Sequence, residues 1–200
     1  MSGGAVIGIV VVVVVIALIV ALVFAMRARQ RQRQRLRLRL QQRFGPEYER
    51  TVERADSRRA AEQELAAREE RHAELDIRPL APEARDRYAR EWTLVQEHFV
   101  DAPESAVTEA DQLVVALMGD RGYPTEGYRD QLEHLSVEHA NTLDHYRAAH
   151  DVSERQRRHE ASTEDLRQAM VHYRALFEDL LSHADTRDNG YRDNQAHRVE

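Results

Sequence analysis

The hydrophobic pattern of this chain begins with a single long apolar block. Residues 5–26, AVIGIVVVVVVIALIVALVFAM, run for 22 positions without a charge. As a helix this block spans about 33 Å, against a hydrocarbon core of about 30 Å. In lipid the backbone must hydrogen-bond to itself, so the valine content does not argue against a helix there. The block predicts a transmembrane helix, with residues 1–4 as a short outside terminus. A cleaved signal peptide fits less well. Residues 1–4 hold no basic side chain, and the block outruns the usual apolar core of such peptides.

Beyond the block the period changes to that of amphipathic helices. Gly45 and Pro46 break the chain and suit the start of a new helix, with Glu47 and Glu49 near its positive end. That helix is expected to run to about Leu75. Its apolar positions (Tyr48, Val52, Leu65, Leu75) are sparse, which predicts a solvated polar stalk held by charge pairs, with a linker completing residues 44–79. From Pro82, the residues Tyr88, Trp92, Val95 and Phe99 form one stripe at helical spacing. A second stripe holds Ala106, Ala110, Leu113, Val114 and Leu117, and GDRGYP at 119–124 ends it. Tyr128, Leu132 and Leu135 predict a third helix. Ser136 is expected to cap a fourth with Val137, Leu143 and Tyr146. STED at 162–165 has the form of a capping box, opening a last helix with Leu166, Met170, Tyr173, Phe177 and Leu180 on one side. No segment alternates at period two. The expected fold class is all-α: a transmembrane helix, a basic juxtamembrane segment, a polar helix, and a small bundle over residues 80–183. Residues 184–200 are polar and aperiodic and read as a disordered tail.

Charge adds direction to this picture. Directly after the apolar block come Arg27, Arg29, Arg31, Arg33, Arg35, Arg37, Arg39 and Arg43, with no acid among them. Subtracting this +8 collar from the net −6 leaves −14 on the rest of the chain. By the positive-inside rule the collar marks the cytoplasmic face, so residues 27–200 are expected in the cytoplasm. Arginine beside an anionic leaflet gains about 1 kcal/mol each, which makes anionic lipid an expected partner. A helical collar spreads its arginines around the axis, whereas an extended one puts them all on one face. Only the extended form suits RNA or another polyanion, and the acidic body repels phosphate, so nucleic acid is disfavoured. Within the block, Gly4 and Gly8 form GxxxG, and Ala17, Ala21 and Ala25 repeat a small residue every four. Both patterns permit close helix packing and a homodimer.

Candidate chemistry is thin. The chain has no cysteine and no lysine, which excludes disulfides, thiolate sites and Schiff-base chemistry. There is no phosphate loop, nucleophile elbow or dinucleotide fingerprint. His134, His139, His145 and His150 step by five, six and five residues, and helical metal pairs need three or four. They read as surface histidines, and no metal or cofactor is expected. HYRA occurs twice, at 145–148 and 172–175, with poorly matching flanks, and reads as coincidence. The stripe Tyr88, Trp92, Val95 and Phe99 reads as core, or as a docking groove where the bundle leaves it open.

RFGPEYERTVE at 43–53, LDIRPL at 75–80, RGYP at 121–124 and TEDLRQAMVHYRALFEDLL at 163–181 resemble a group of actinobacterial single-pass membrane proteins, usually called secreted. The resemblance covers most of residues 1–183 and implies one membrane pass. No activity comes with it, so no functional residue does. The "secreted" description conflicts with the inside assignment and follows if an anchor helix is taken for a signal peptide. The expectation is a non-catalytic adaptor, scaffold or regulator that binds a protein partner at the inner face of the membrane.

Overall fold

A computed structural model of the chain describes the backbone over residues 3–196, and the side chains over 20–182 apart from 28, 29 and 33. Every regular element among them is a helix, so the protein is all-α. The chain divides into two compact units, residues 1–42 and 43–200.

Helix α1 (Gly3–Phe44) passes from the apolar block through the collar without a break. The collar is therefore helical. Arginine positions two apart turn by about 200° around the axis and those four apart by about 40°, so they fall into two stripes on opposite sides of the helix and not into one basic face. Arg27, Arg31, Arg35 and Arg39 are exposed and Arg37 is half-buried, while the side chains of Arg29 and Arg33 fall outside the described set. Leu36 and Leu38 stand exposed between them. Among the described residues no helix is long and apolar enough to cross a membrane. Most of the span expected at 5–26 lies outside them, because residues 5–19 have no described side chains. Gly4, Gly8 and Ala17 of the expected packing face lie there too, and Ala21 and Ala25 are exposed.

The second unit opens where Gly45 takes a φ of +47°, a value that favours glycine, and Pro46 starts α2 (Pro46–Arg54). The single stalk helix expected from 46 to 75 is not formed. The chain extends at Ala55, and Ser57 caps a separate α3 (Arg58–Ala73) by accepting from the Ala60 N–H at 3.2 Å. Nor are these helices a solvated stalk. Tyr48, Ala61 and Leu65 are fully buried, and α3 packs on α6 (Tyr128–Glu138).

The core is built by α4 (Pro82–Asp101), α5 (Pro103–Asp120), α7 (Leu143–Arg157) and α8 (Thr163–Ala196). Their stripes meet as their spacing requires, with α4 packed on α5, α5 on α8 and α7 on α8. The stripe of Tyr88, Trp92 and Val95 is buried, with Phe99 packed against the same core, so it forms no open groove. Trp92 stacks on Phe177 with ring centres 4.7 Å apart. Ser136 does not cap α7. It sits inside the last turn of α6 and donates to the Glu133 carbonyl at 2.6 Å, and α7 starts after Thr142. Val137 is buried from α6 instead. Helix α8 continues to Ala196, through residues expected to be a tail. No proline interrupts 184–196, and a helix already nucleated by packing extends at little cost.

The capping box at α8 forms in full. Asp165 N–H donates to Ser162 Oγ at 3.2 Å, while Ser162 N–H and Oγ–H donate to Asp165 Oδ2 at 2.9 and 2.7 Å. The Ser162 hydroxyl, then its backbone N–H, then Arg155 hold the Asp165 carboxyl down at about 2 from an ordinary 3.8. A depressed carboxylate stabilises the fold above its unfolded pKa and loses that contribution as pH falls through the folded value. Asp165→Asn is therefore expected to lower the denaturation midpoint at pH 6. The two proteins should converge as pH falls from about 4 towards about 2. A difference that persists at the acid end would contradict this account.

Candidate functional site

The polar residues that the periodic pattern leaves unexplained converge on one cavity of the second unit. Helix α5 ends in a Schellman turn, in which Gly122 N–H donates to the Gly119 carbonyl and Tyr123 N–H to the Met118 carbonyl, both at 2.9 Å. Gly122 takes the left-handed position, with φ +90°. The linker after α3 is strapped to this turn, since Arg78 N–H donates to the Arg121 carbonyl at 3.0 Å. LDIRPL and RGYP are thus two sides of one contact. Arg121 is fully buried; it donates from NH1 to the Leu180 carbonyl at 2.8 Å and lies over the Tyr123 ring.

The turn aims Tyr123 inward, where its hydroxyl donates to Glu138 Oε2 at 2.9 Å. It also lies 3.1 Å from His139 Nε2. His139 Nδ1 is 2.8 Å from Asp179 Oδ2 on α8, which also accepts from the Thr142 hydroxyl at 2.6 Å. Glu138 closes α6 and His139 follows it as the cap residue, so one helix end supplies both. The directions are constrained. A phenol has one proton, and here it goes to Glu138. The His139 ring bridges Tyr123 and Asp179, with Nε2 facing the tyrosine oxygen and Nδ1 the carboxylate.

The far side of Glu138 faces a cavity of about 300 Å³ lined by Arg43, Glu69, His72, Ala73, Leu75, Ile77 and Glu138. Glu69, His72 and Ala73 share one face of α3, and Leu75 and Ile77 come from the linker. The Glu138 side chain is 7% exposed, and its Oε1 lies 3.3 Å from His72 Nε2 and 3.8 Å from an Arg43 nitrogen. The Arg43 side chain, 44% exposed, stands at the mouth. The His72 ring lies 5.9 Å from both Tyr123 and His134. Burial first, then the nearby His72 and Arg71, push the His134 pKa down. The lining offers charges of both signs over an aliphatic floor. It holds no hydroxyl, thiol or amine nucleophile among the described residues.

Of the described collar side chains, Arg43 lines this site. The histidines expected at the surface are buried or half-buried, and His139 belongs to the relay. Among the described residues no three His, Asp or Glu side chains converge as a metal site. The two HYRA copies lie side by side on α7 and α8. His145 Nδ1 meets His172 Nδ1 at 2.9 Å, and Tyr146 and Tyr173 meet edge to face at 6.4 Å. Burial and then His145 lower the His172 pKa.

Comparison with known proteins returns no matching family model, curated protein or solved structure, so no functional residue is transferred to this chain.

Proposed function

We propose that this is a single-pass membrane protein whose helical domain serves as a non-catalytic adaptor or regulator at the inner face of the cytoplasmic membrane. The reading is carried by one observation: 22 uncharged residues are followed at once by eight arginines on the same helix, which ends at Phe44, where the domain begins. The arginines orient the anchor and hold anionic lipid. The domain would then present its acidic surface to a cytoplasmic protein partner. Close packing through Gly4, Gly8, Ala17, Ala21 and Ala25 would pair two copies. The alternative of a nucleic-acid or polyanion binder is weakened by the helical collar, which splits its arginine positions between two opposite sides of the helix.

Topology tests the reading. A reporter active only inside the cell, fused after the last residue of the full chain, is expected to be active, and one active only outside is expected to be silent. The reverse pattern would overturn the reading and make the protein an envelope component. A mature N-terminus beyond Ala25 would overturn the anchor.

A further inference from the structure

We infer that His145 and His172 form a proton-sensitive latch across the seam of α7 and α8, closed while one of their facing nitrogens is free of a proton and sprung when both carry one. This goes beyond the proposed membrane role and does not depend on topology.

His145 Nδ1 and His172 Nδ1 lie 2.9 Å apart, and the ring centres lie 5.1 Å apart. The two nitrogens therefore stand between the ring centres and face each other nearly head-on. A contact of that kind holds one proton: one imidazole donates from Nδ1 and the other accepts with its lone pair. A neutral pair meets this requirement with one ring in each tautomer. A singly protonated pair meets it as well, with a charge-assisted bond. A doubly protonated pair fails, because both nitrogens then carry hydrogen and two like charges face each other at contact distance. Metal binding is the weaker reading of the same contact. Bonds of about 2.0–2.1 Å from each nitrogen leave no room for an ion on the line between them. Among the described residues no group of three His, Asp or Glu side chains could hold one.

The surroundings do not offset a second charge. Burial and then His145 hold the His172 pKa down, and no carboxylate works against them. The acids of the helices in contact are engaged elsewhere. On α7, Asp144 is paired with Arg50 and Arg147. On α8, Glu178 is paired with Arg174, and Asp179 takes His139 and Thr142. From α5, Asp111 accepts from the Tyr173 hydroxyl at 2.8 Å. From α6, Glu133 is paired with Arg71, and Glu138 accepts from Tyr123. Both histidines are half-buried, so water reaches the edge of the pair. Apolar packing beside it is light. Ala148 and Ala175, about one turn on from each histidine, are half-buried and offer one methyl group each. Repulsion between two imidazoliums therefore meets little resistance at this end of the seam.

An imidazole with a lowered pKa lets the unfolded chain bind the proton first as pH falls through the ordinary value of 6.5. The contribution of the pair to stability is whole above that pH and is lost below it. Burial pushes His134 and His150 in the same direction, so the pair must be separated from them by a double-mutant cycle. The experiment is urea unfolding of the full chain in detergent, with a chelator present, at about pH 7.5 and about pH 5. It compares the parent, His145→Gln, His172→Gln and the double variant. Glutamine keeps a donor and an acceptor for the remaining ring, so the variants should fold. On going to the lower pH, the unfolding constant of the parent should rise about tenfold more than that of either single variant. The coupling between the two positions should stabilise at the higher pH and shrink about tenfold at the lower. Hydrogen exchange locates the opening: at the lower pH, amides of α7 should exchange faster in the parent than in His172→Gln. Parallel pH profiles of parent and variants, a coupling that does not change with pH, or equal protection of α7 would each overturn the inference.

Discussion

Gly122→Ala is expected to destabilise the second unit by about 3–5 kcal/mol, enough to threaten the fold. Two costs act together. At φ +90° a residue with a β-carbon is strained by about 1–2 kcal/mol. The new β-carbon would also stand 2.2 Å from the Asp76 carbonyl oxygen and 3.1 Å from its carbon. Real contacts of that length do not occur, and the obstacle is backbone. Asp76 cannot simply retreat, because Arg78 N–H is bonded to the Arg121 carbonyl within the same crossing. Relief therefore means parting the linker from the turn, which pulls Arg121 from the Leu180 carbonyl and Tyr123 from Glu138. Against a typical total of about 5–15 kcal/mol, the loss is large. The check is a thermal melt: at about 2–4 °C per kcal/mol for a unit of this size, the midpoint should fall by roughly 10 °C. A shift of only about 2 °C would show that the crossing is loose.

That crossing was half legible. RGYP carries a glycine and a proline, and reads as a stop whatever it touches. Its second role depends on LDIRPL, more than forty residues earlier, and no local pattern couples the two. The same division holds throughout. The stripes at Trp92, Val114 and Phe177 were visible because large apolar side chains at helical spacing have one place to go. The relay was not. His72, Tyr123, Glu138, His139 and Asp179 come from a face of α3, the end of α6, a face of α8 and a turn, and each alone is an ordinary surface residue type. Topology makes them neighbours. The stalk failed as an expectation for a related reason. A helix with few apolar positions looks solvated, yet Tyr48 on α2 and Ala61 and Leu65 on α3 are fully buried. The repeated HYRA is visible in the sequence, but the meeting of its two copies depends on α7 and α8 lying side by side, which no local pattern encodes. The capping box at Ser162 was read correctly because its chemistry is local.

The second large effect is expected at Glu47, a residue legible only as an acid in the first turn of a helix. Its side chain is 4% exposed and faces three guanidiniums: Arg147 at 2.8 Å, Arg68 at 3.5 Å and Arg50 at 3.6 Å. These come from α7, α3 and α2, so one carboxylate ties three helices together. Asp144 joins the group through Arg50 and Arg147, and Glu64 through Arg68. The hydrogen bond from Arg50 is the largest cause of the lowered Asp144 pKa, followed by the opposing effect of burial and then the bond from Arg147. Removing Glu47 leaves positive charge partly desolvated, with two more exposed carboxylates as its remaining partners. Arg68 is the most enclosed, at 12% side-chain exposure. Breaking a buried pair from one side costs about 3–5 kcal/mol, whereas an exposed pair is worth about 0–1. Glu47→Ala is expected near the lower end of the first range, because Asp144 and Glu64 compensate in part. Glu47→Gln should lose less, since it keeps the shape and an acceptor. A double-mutant cycle separates charge from packing. Glu47→Ala with Arg147→Ala should cost less than the sum of the two, with a coupling of about 1–3 kcal/mol. Additive losses would mean that Glu47 only fills space. Coupled losses would mean that α2 and α3, the helices that looked like a free stalk, are held on the bundle by one carboxylate shared among arginines.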